Sequence, residues 1–251
     1  MESKPSVIPL LLVLVMHVES AAAADLPGDF VYLRDVAPEV FQDIRYARAD
    51  NFTGAKVPGY EDAECILKRS VAEALKKANG SIASRGLALK VYDCYRPERA
   101  VKAFMRWAGE GADQKSERYY PNVARGALVP QGYIAPKSSH SLGIAVDLTI
   151  VETPKAERQD GERKAAPGDC TASEAPRSAI PSLDMGSNFD CFDVRSHTST
   201  PGLTAVQASN RKLLVQVMSR YGFANYHREW WHFTHQPSAG GATPHDFPIR
   251  R

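Results

Sequence analysis

Four side chains in two short stretches of the chain have the types and spacing to do chemistry together. In KSSHSLGIAVDLT, Lys137 to Thr149, His140 stands among serines and Asp147 interrupts an apolar run seven residues later. In EWWH, Glu229 and His232 bracket two tryptophans. Two imidazoles and a carboxylate form an N,N,O donor set suited to Zn²⁺ with a fourth position free for water. A second carboxylate beside such a set can act as a base. Spacing makes demands on the chain. Seven residues of extended backbone cover roughly 23 Å, whereas donors on one ion lie about 3 Å apart, so the chain must double back between His140 and Asp147. Gly143 is the natural place, because glycine reaches backbone angles closed to other residues. Glu229 and His232, three apart, point to opposite faces of a regular strand, so a bulge, a strong twist or a helical turn must bring them together. On spacing alone the ordinary readings compete: a satisfied structural carboxylate, a turn histidine, and a tryptophan pair buried in the core.

The elements that must position these residues show in the hydrophobic pattern. In EDAECILKRSVAEALKKANG, Leu67, Val71, Ala74, Leu75 and Ala78 recur at three- and four-residue spacing, which predicts an amphipathic helix stopping at Gly80. LALKVYD alternates Leu87, Leu89 and Val91 with smaller or polar neighbours, as a half-buried strand does. Pro97 opens a second helix with Ala100, Val101, Phe104 and Trp107 on one face. Ile144 to Val151 reads as a strand. From Glu152 to about Ser182 neither period appears, and so long a stretch reads as an insertion or functional loop. Thr204 and Gln207 have capping-box spacing ahead of a helix that buries Leu213, Leu214, Val217, Met218 and Tyr221 and ends at Gly222. The aromatic FANYHREWWHFTH reads as extended. Helices and strands mix without βαβ alternation or internal repeat, so the expected architecture is a single α+β domain.

The 251 residues are 43% hydrophobic and 24% charged, with a formal net charge of +2. That is a globular composition. Its scattered cations leave no electrostatic footprint for nucleic acid. Lys4, the apolar run Val7 to Val15 and the tract SAAAAD follow the layout of a secretory signal peptide over residues 1–24. The apolar run is too short for a stable membrane anchor. Export to an oxidising compartment, most simply the periplasm, changes how Cys65, Cys94, Cys170 and Cys191 are read. An even number without a C-x-x-C pair predicts two disulfides among three connectivities, and Cys65–Cys94 with Cys170–Cys191 encloses the shorter segments.

The stretch SSHSLGIAVDLT fits an S-x-H-x-x-G-x-x-x-D pattern. Together with IRYARADNFTG, YDCYRP, MGSNFDCFDVRSH and EWWHF, in that order, it closely resembles the zinc D-alanyl-D-alanine dipeptidases, which include the vancomycin-resistance D,D-dipeptidases. The resemblance implies one Zn²⁺ per chain held by His140, Asp147 and His232, with Glu229 as general base and Arg96 stabilising the oxyanion. It implies that Asp190 and Tyr46 hold the substrate's free amino group and that Ser138 helps bind the dipeptide. It also implies the hedgehog/D,D-peptidase fold, a small antiparallel sheet flanked by helices. In isolation Arg96 also reads as a surface ion-pair partner of Asp93 or Glu98, but its place between the strand and Pro97 favours the site. His197, His227, His235 and His245 read as structural or surface residues.

The expected activity is hydrolysis of the D-alanyl-D-alanine dipeptide. An anionic Asp190 facing an ammonium group would reward a free amino terminus and reject a longer chain. Two other readings use the same residues: a D,D-carboxypeptidase acting on peptidoglycan stem peptides, and a cell-wall binding module that keeps the fold without the activity. The resistance enzymes deplete a cytoplasmic pool of dipeptide. An exported relative cannot, so its expected role is scavenging or recycling dipeptide released from the wall.

Overall fold

In the computed structural model, residues 26–111, 117–153, 168–172 and 180–251 are described. The expected leader and most of the expected insertion at 152–182 lie outside them. A five-stranded sheet forms the frame, in the order β2 (Phe41–Gln42), β4 (Leu87–Asp93), β5 (Ala145–Glu152), β7 (His232–His235), β6 (Phe223–Asn225). Every pair is antiparallel except β2 with β4. A smaller antiparallel pair joins β1 (Phe30–Tyr32) to β3 (Ile66–Lys68), with the short helix α1 (Leu33–Val36) following β1. Three longer helices, α2 (Arg69–Ala83), α3 (Glu98–Gly109) and α4 (Ala205–Arg220), complete the α+β architecture.

The predicted second and third helices form as expected. Pro97 caps α3, and Ala100, Val101, Phe104 and Trp107 are buried along one face. Thr204 accepts from the Gln207 amide while the Gln207 side chain accepts from the Thr204 amide, closing the capping box of α4. Leu214, Val217 and Met218 are fully buried there, whereas Leu213 and Tyr221 pack at the margin of the core.

Three local expectations change. The segment expected as one helix from residue 61 to Gly80 begins with strand β3, and α2 then runs through Gly80 to Ala83. Glycine inside a helix costs only about 1 kcal/mol relative to alanine, and Ile82, buried beyond it, keeps the helix going. The chain turns at Gly86, where φ is +68°. Strand β4 is interior rather than half-buried, because β2 and β5 flank it and even Lys90 is only 1% exposed. The final aromatic stretch is a β6–β7 hairpin whose connection, residues 226–231, turns back on itself. Cys65 pairs with Cys94 and Cys170 with Cys191, with Cα separations of 5.3 and 5.2 Å. No helix among the described residues is long and apolar enough to cross a membrane.

Candidate metal centre and substrate cavity

The demand that the chain double back is met by one helical turn and one glycine. Ser139–Leu142 form a single 3₁₀ turn, capped by the Ser138 hydroxyl, which accepts from the His140 amide at 3.2 Å. Gly143 follows with φ +71°, and a Cβ there would lie 2.2 Å from a ring carbon of Phe30. Neither a side chain nor another conformation fits, so the chain reverses here and enters β5. Asp147 on β5 is the register partner of His232 on β7, which places a carboxylate and an imidazole side by side. The hairpin turn solves the other problem. Glu229 donates its amide to the Tyr226 carbonyl, His232 donates to the Glu229 carbonyl, and the Asn225 side chain amide binds the carbonyls of both Glu229 and His232. The device is two successive tight turns rather than a bulge, a strong twist or a helical turn.

Four donor atoms converge. The Asp147 Oδ1 atom lies 3.2 Å from His140 Nε2 and 2.9 Å from His232 Nδ1, and the two ring nitrogens are 3.1 Å apart. His140 Nδ1 donates to the Cys94 carbonyl at 2.6 Å, which leaves the lone pair of Nε2 turned toward the other two donors. Glu229 Oε2 stands 4.0 Å from His232 Nδ1. Among the described residues, His140, Asp147 and His232 are the one group of three or more His, Cys, Asp or Glu side chains close enough to hold an ion together. Burial alone would raise the Asp147 carboxyl, but the neighbouring His140 and His232 hold it well below the usual carboxylate range. Burial and the charge of Asp147 push Glu229 up to about 8.

A cavity of ≈ 240 Å³ opens beside these donors. Ligand pockets commonly hold ~300–1,000 Å³, so this one suits a small molecule. All eight side chains singled out from the sequence line it: Tyr46, Arg96, Ser138, His140, Asp147, Asp190, Glu229 and His232. The Tyr46 hydroxyl donates to the Asp190 carboxylate, 2.9 and 3.0 Å from its two oxygens. Burial, then the charge of Asp147, raises Asp190 well above the usual carboxylate range, and burial with Asp190 raises the Tyr46 hydroxyl. A buried carboxyl in that condition favours a cation as its partner.

Arg96 is an ion-pair partner and also lines the cavity. It pairs with Asp93 at 2.8 Å, but beneath the cavity rather than on the surface, and it also reaches within 3.5 Å of Asp147. Its guanidinium lies 5.3 Å from the centre of the Tyr46 ring and 5.1 Å from that of Phe104. Asp93 itself is fully buried, is the register partner of Asp147, and accepts from Tyr60 at 2.6 Å. The pairing with Arg96 is legible in the sequence, but the burial of Asp93 at the end of β4 is not. Lys137, also on the cavity wall, sits inside the serine-rich stretch and was passed over. Trp230 and Trp231 are core residues, each 1% exposed, and Trp231 closes the cavity floor.

Two histidines and a carboxylate with a second carboxylate beside them, at the wall of a small polar cavity on an α+β frame, define a metallopeptidase. The sequence matches the family described as D-ala-D-ala dipeptidase over residues 27–160 and 177–248. It is 36% identical over 222 residues to a D-alanyl-D-alanine dipeptidase of Enterococcus faecium, covering 88% of this chain and 98% of that one. It is 38% identical over 209 residues to one of Enterococcus faecalis, covering 83% and 92%. One of Streptomyces coelicolor is 33% identical over 225 residues, covering 89% and 100%. This chain belongs to the D-ala-D-ala dipeptidase family.

Proposed function

We propose that the protein hydrolyses the D-alanyl-D-alanine dipeptide with one bound Zn²⁺, and that it scavenges or recycles dipeptide released from the cell wall after export. The observation that carries this reading is the cavity itself. A three-donor metal set with an acidic neighbour lies at one part of its wall, and an ammonium-ready carboxylate, Asp190 with Tyr46, lies at another.

His140, Asp147 and His232 would hold the ion. The donor set fits it, since His140 Nε2 is turned inward by the outward bond of Nδ1 and all the donors lie close together. Bound there, zinc supplies Lewis acidity to the scissile carbonyl and to water. Glu229, ionised once a cation offsets the effects of burial and Asp147, accepts the proton of the attacking water. It then returns that proton to the leaving amine. Arg96, fixed by Asp93 and by the rings of Tyr46 and Phe104, presents a rigid fork of donors to the charge that grows on the carbonyl oxygen. Asp190, supported by the Tyr46 hydroxyl, takes the substrate ammonium. In doing so it gains the cation that its buried position calls for.

Asp190 also supports the dipeptidase reading over the carboxypeptidase one. A stem peptide continues where the dipeptide has its ammonium, and there it would meet a buried carboxylate without a cation. The test is turnover of purified, zinc-loaded protein on the dipeptide, a tripeptide and a pentapeptide ending in D-Ala-D-Ala. The dipeptide is expected to be strongly preferred. Equal rates on the longer peptides would replace this reading with the carboxypeptidase one, and no turnover of any would leave the binding-module reading.

A further inference from the structure

Asp190 is the one described non-glycine residue with a positive φ, at +61°. A side chain adopts that backbone conformation at a cost, so its surroundings must impose it. Those surroundings are unusual. The next residue, Cys191, is bonded to Cys170, and both are buried, at 0% and 2% exposure. Cys170 is itself held on both sides. Its amide donates to the Arg118 carbonyl at 2.8 Å, and its carbonyl accepts from the Asn188 amide at 2.8 Å. The Phe192 amide donates to the Tyr119 carbonyl at 2.8 Å. The chain is therefore pinned two residues before Asp190, one after and two after, and the pins at 188 and 191 both lead to Cys170. The family match covers Asp190 and Cys191 but breaks between 160 and 177, so Cys170 lies outside the matched pattern.

We infer that the Cys170–Cys191 disulfide is a positioning device, supplied from outside the shared family pattern, that holds Asp190 where it recognises the substrate's ammonium group. The inference rests on the dipeptidase reading and deepens it. A cross-link stabilises almost any fold it joins, so loss of stability alone would say nothing. What a positioning role predicts is a selective loss. Binding that depends on the ammonium weakens, while the chemistry at the metal ligands, on the other part of the cavity wall, is spared.

The experiment compares the zinc-loaded wild-type enzyme with Cys170→Ala/Cys191→Ala. It measures kcat and KM for D-alanyl-D-alanine, the Ki of propanoyl-D-alanine, a mimic of the same size without the amino group, and bound zinc. In the variant KM is expected to rise about 10-fold or more, in line with the effect of a misplaced contact. kcat should stay within about twofold, the Ki of propanoyl-D-alanine should not change, and zinc should remain stoichiometric. If the variant does not fold, Cys170→Ser/Cys191→Ser reads the same ratio of KM to Ki and leaves Cys65–Cys94, whose Cys94 carbonyl holds His140, intact. An unchanged ratio without the disulfide overturns the inference, as does a parallel loss for both ligands. Asp190→Asn separates the two levels of the argument. If its ratio matches that of wild type, ammonium recognition by Asp190 is wrong and the inference fails with it. If its ratio rises and that of the cysteine variant does not, only the positioning role is lost.

Discussion

Glu229 and Arg96 can be told apart by substitution because they are asked for different things. Glu229→Gln keeps size and hydrogen bonding but cannot take a proton, so kcat on the dipeptide is expected to fall by ~10²–10⁴. Zinc content should be unchanged, since the three proposed ligands remain. Loss of zinc with the glutamine would make Glu229 a ligand and remove it as the base. Arg96→Lys keeps a cation for the buried Asp93 but loses the planar fork. A fall in kcat of ~10²–10³ with little change in melting temperature is expected. A variant that melts early but turns over normally would reduce Arg96 to a structural ion pair. The ordinary reading of Arg96 and the catalytic one thus rest on the same contact, which explains why the sequence alone could not separate them. A partner three residues away in the same motif says nothing about which side of the pair faces a cavity.

Gly143 is where backbone geometry decides whether the donors meet. Replacing it with alanine sets a methyl group against Phe30 and asks a side chain to hold φ +71°. Overpacking and strain of this kind cost about 1–3 kcal/mol each, and the displaced turn carries His140. Gly143→Ala should therefore weaken zinc binding as well as stability. Adding Phe30→Leu should recover part of the zinc binding by easing the clash while the backbone strain persists, but not the stability, because the Phe30 ring packs against Tyr95, His245 and Phe247. Zinc titration of the two variants checks this, and wild-type affinity in Gly143→Ala would show that the reversal does not depend on glycine. The glycine was legible because seven residues of extended chain are too long for one ion. The hairpin turn at 226–231 was less so. A three-residue spacing required some distortion, but the carbonyls of Glu229 and His232 are tied by Asn225, a residue whose type carries no such signal. Helix α2 shows the opposite case, in which a local stop signal at Gly80 was overridden by burial of Ile82, a tertiary effect that periodicity does not weigh.

Taken as a whole, the molecule concentrates carboxyl groups, and with them latent negative charge, where its strands meet. Asp147, Asp190 and Glu229 line one small cavity with Asp93 beneath it, and Arg96 is the cation that touches Asp93 and Asp147. The proposed ligands come from a 3₁₀ turn, β5 and β7, so a bound dication would both offset that charge and cross-link three parts of the frame. At a free zinc concentration 1,000 times Kd, mass action contributes about 4 kcal/mol, which for a domain of this size raises the melting temperature by about 8–16 °C. Chelation should lower the melting temperature by that amount and leave the far-ultraviolet dichroism of the folded state intact, and returning zinc to the same free concentration should restore it. The shift should also grow with pH. In metal-free protein Glu229 binds its proton more tightly folded, at about 8, than at its ordinary 4.5. Its contribution to stability is thus fully present below pH ~4.5 and lost as pH rises through about 8. Zinc therefore has more to restore at pH 8 than at pH 6. His140→Ala should melt at one temperature with or without zinc, whereas Glu229→Gln should keep a zinc-dependent shift with a weaker pH dependence, since the raised Asp190 still titrates. Calorimetry of the wild type that shows no zinc-dependent shift at either pH would rule out His140, Asp147 and His232 as a metal site.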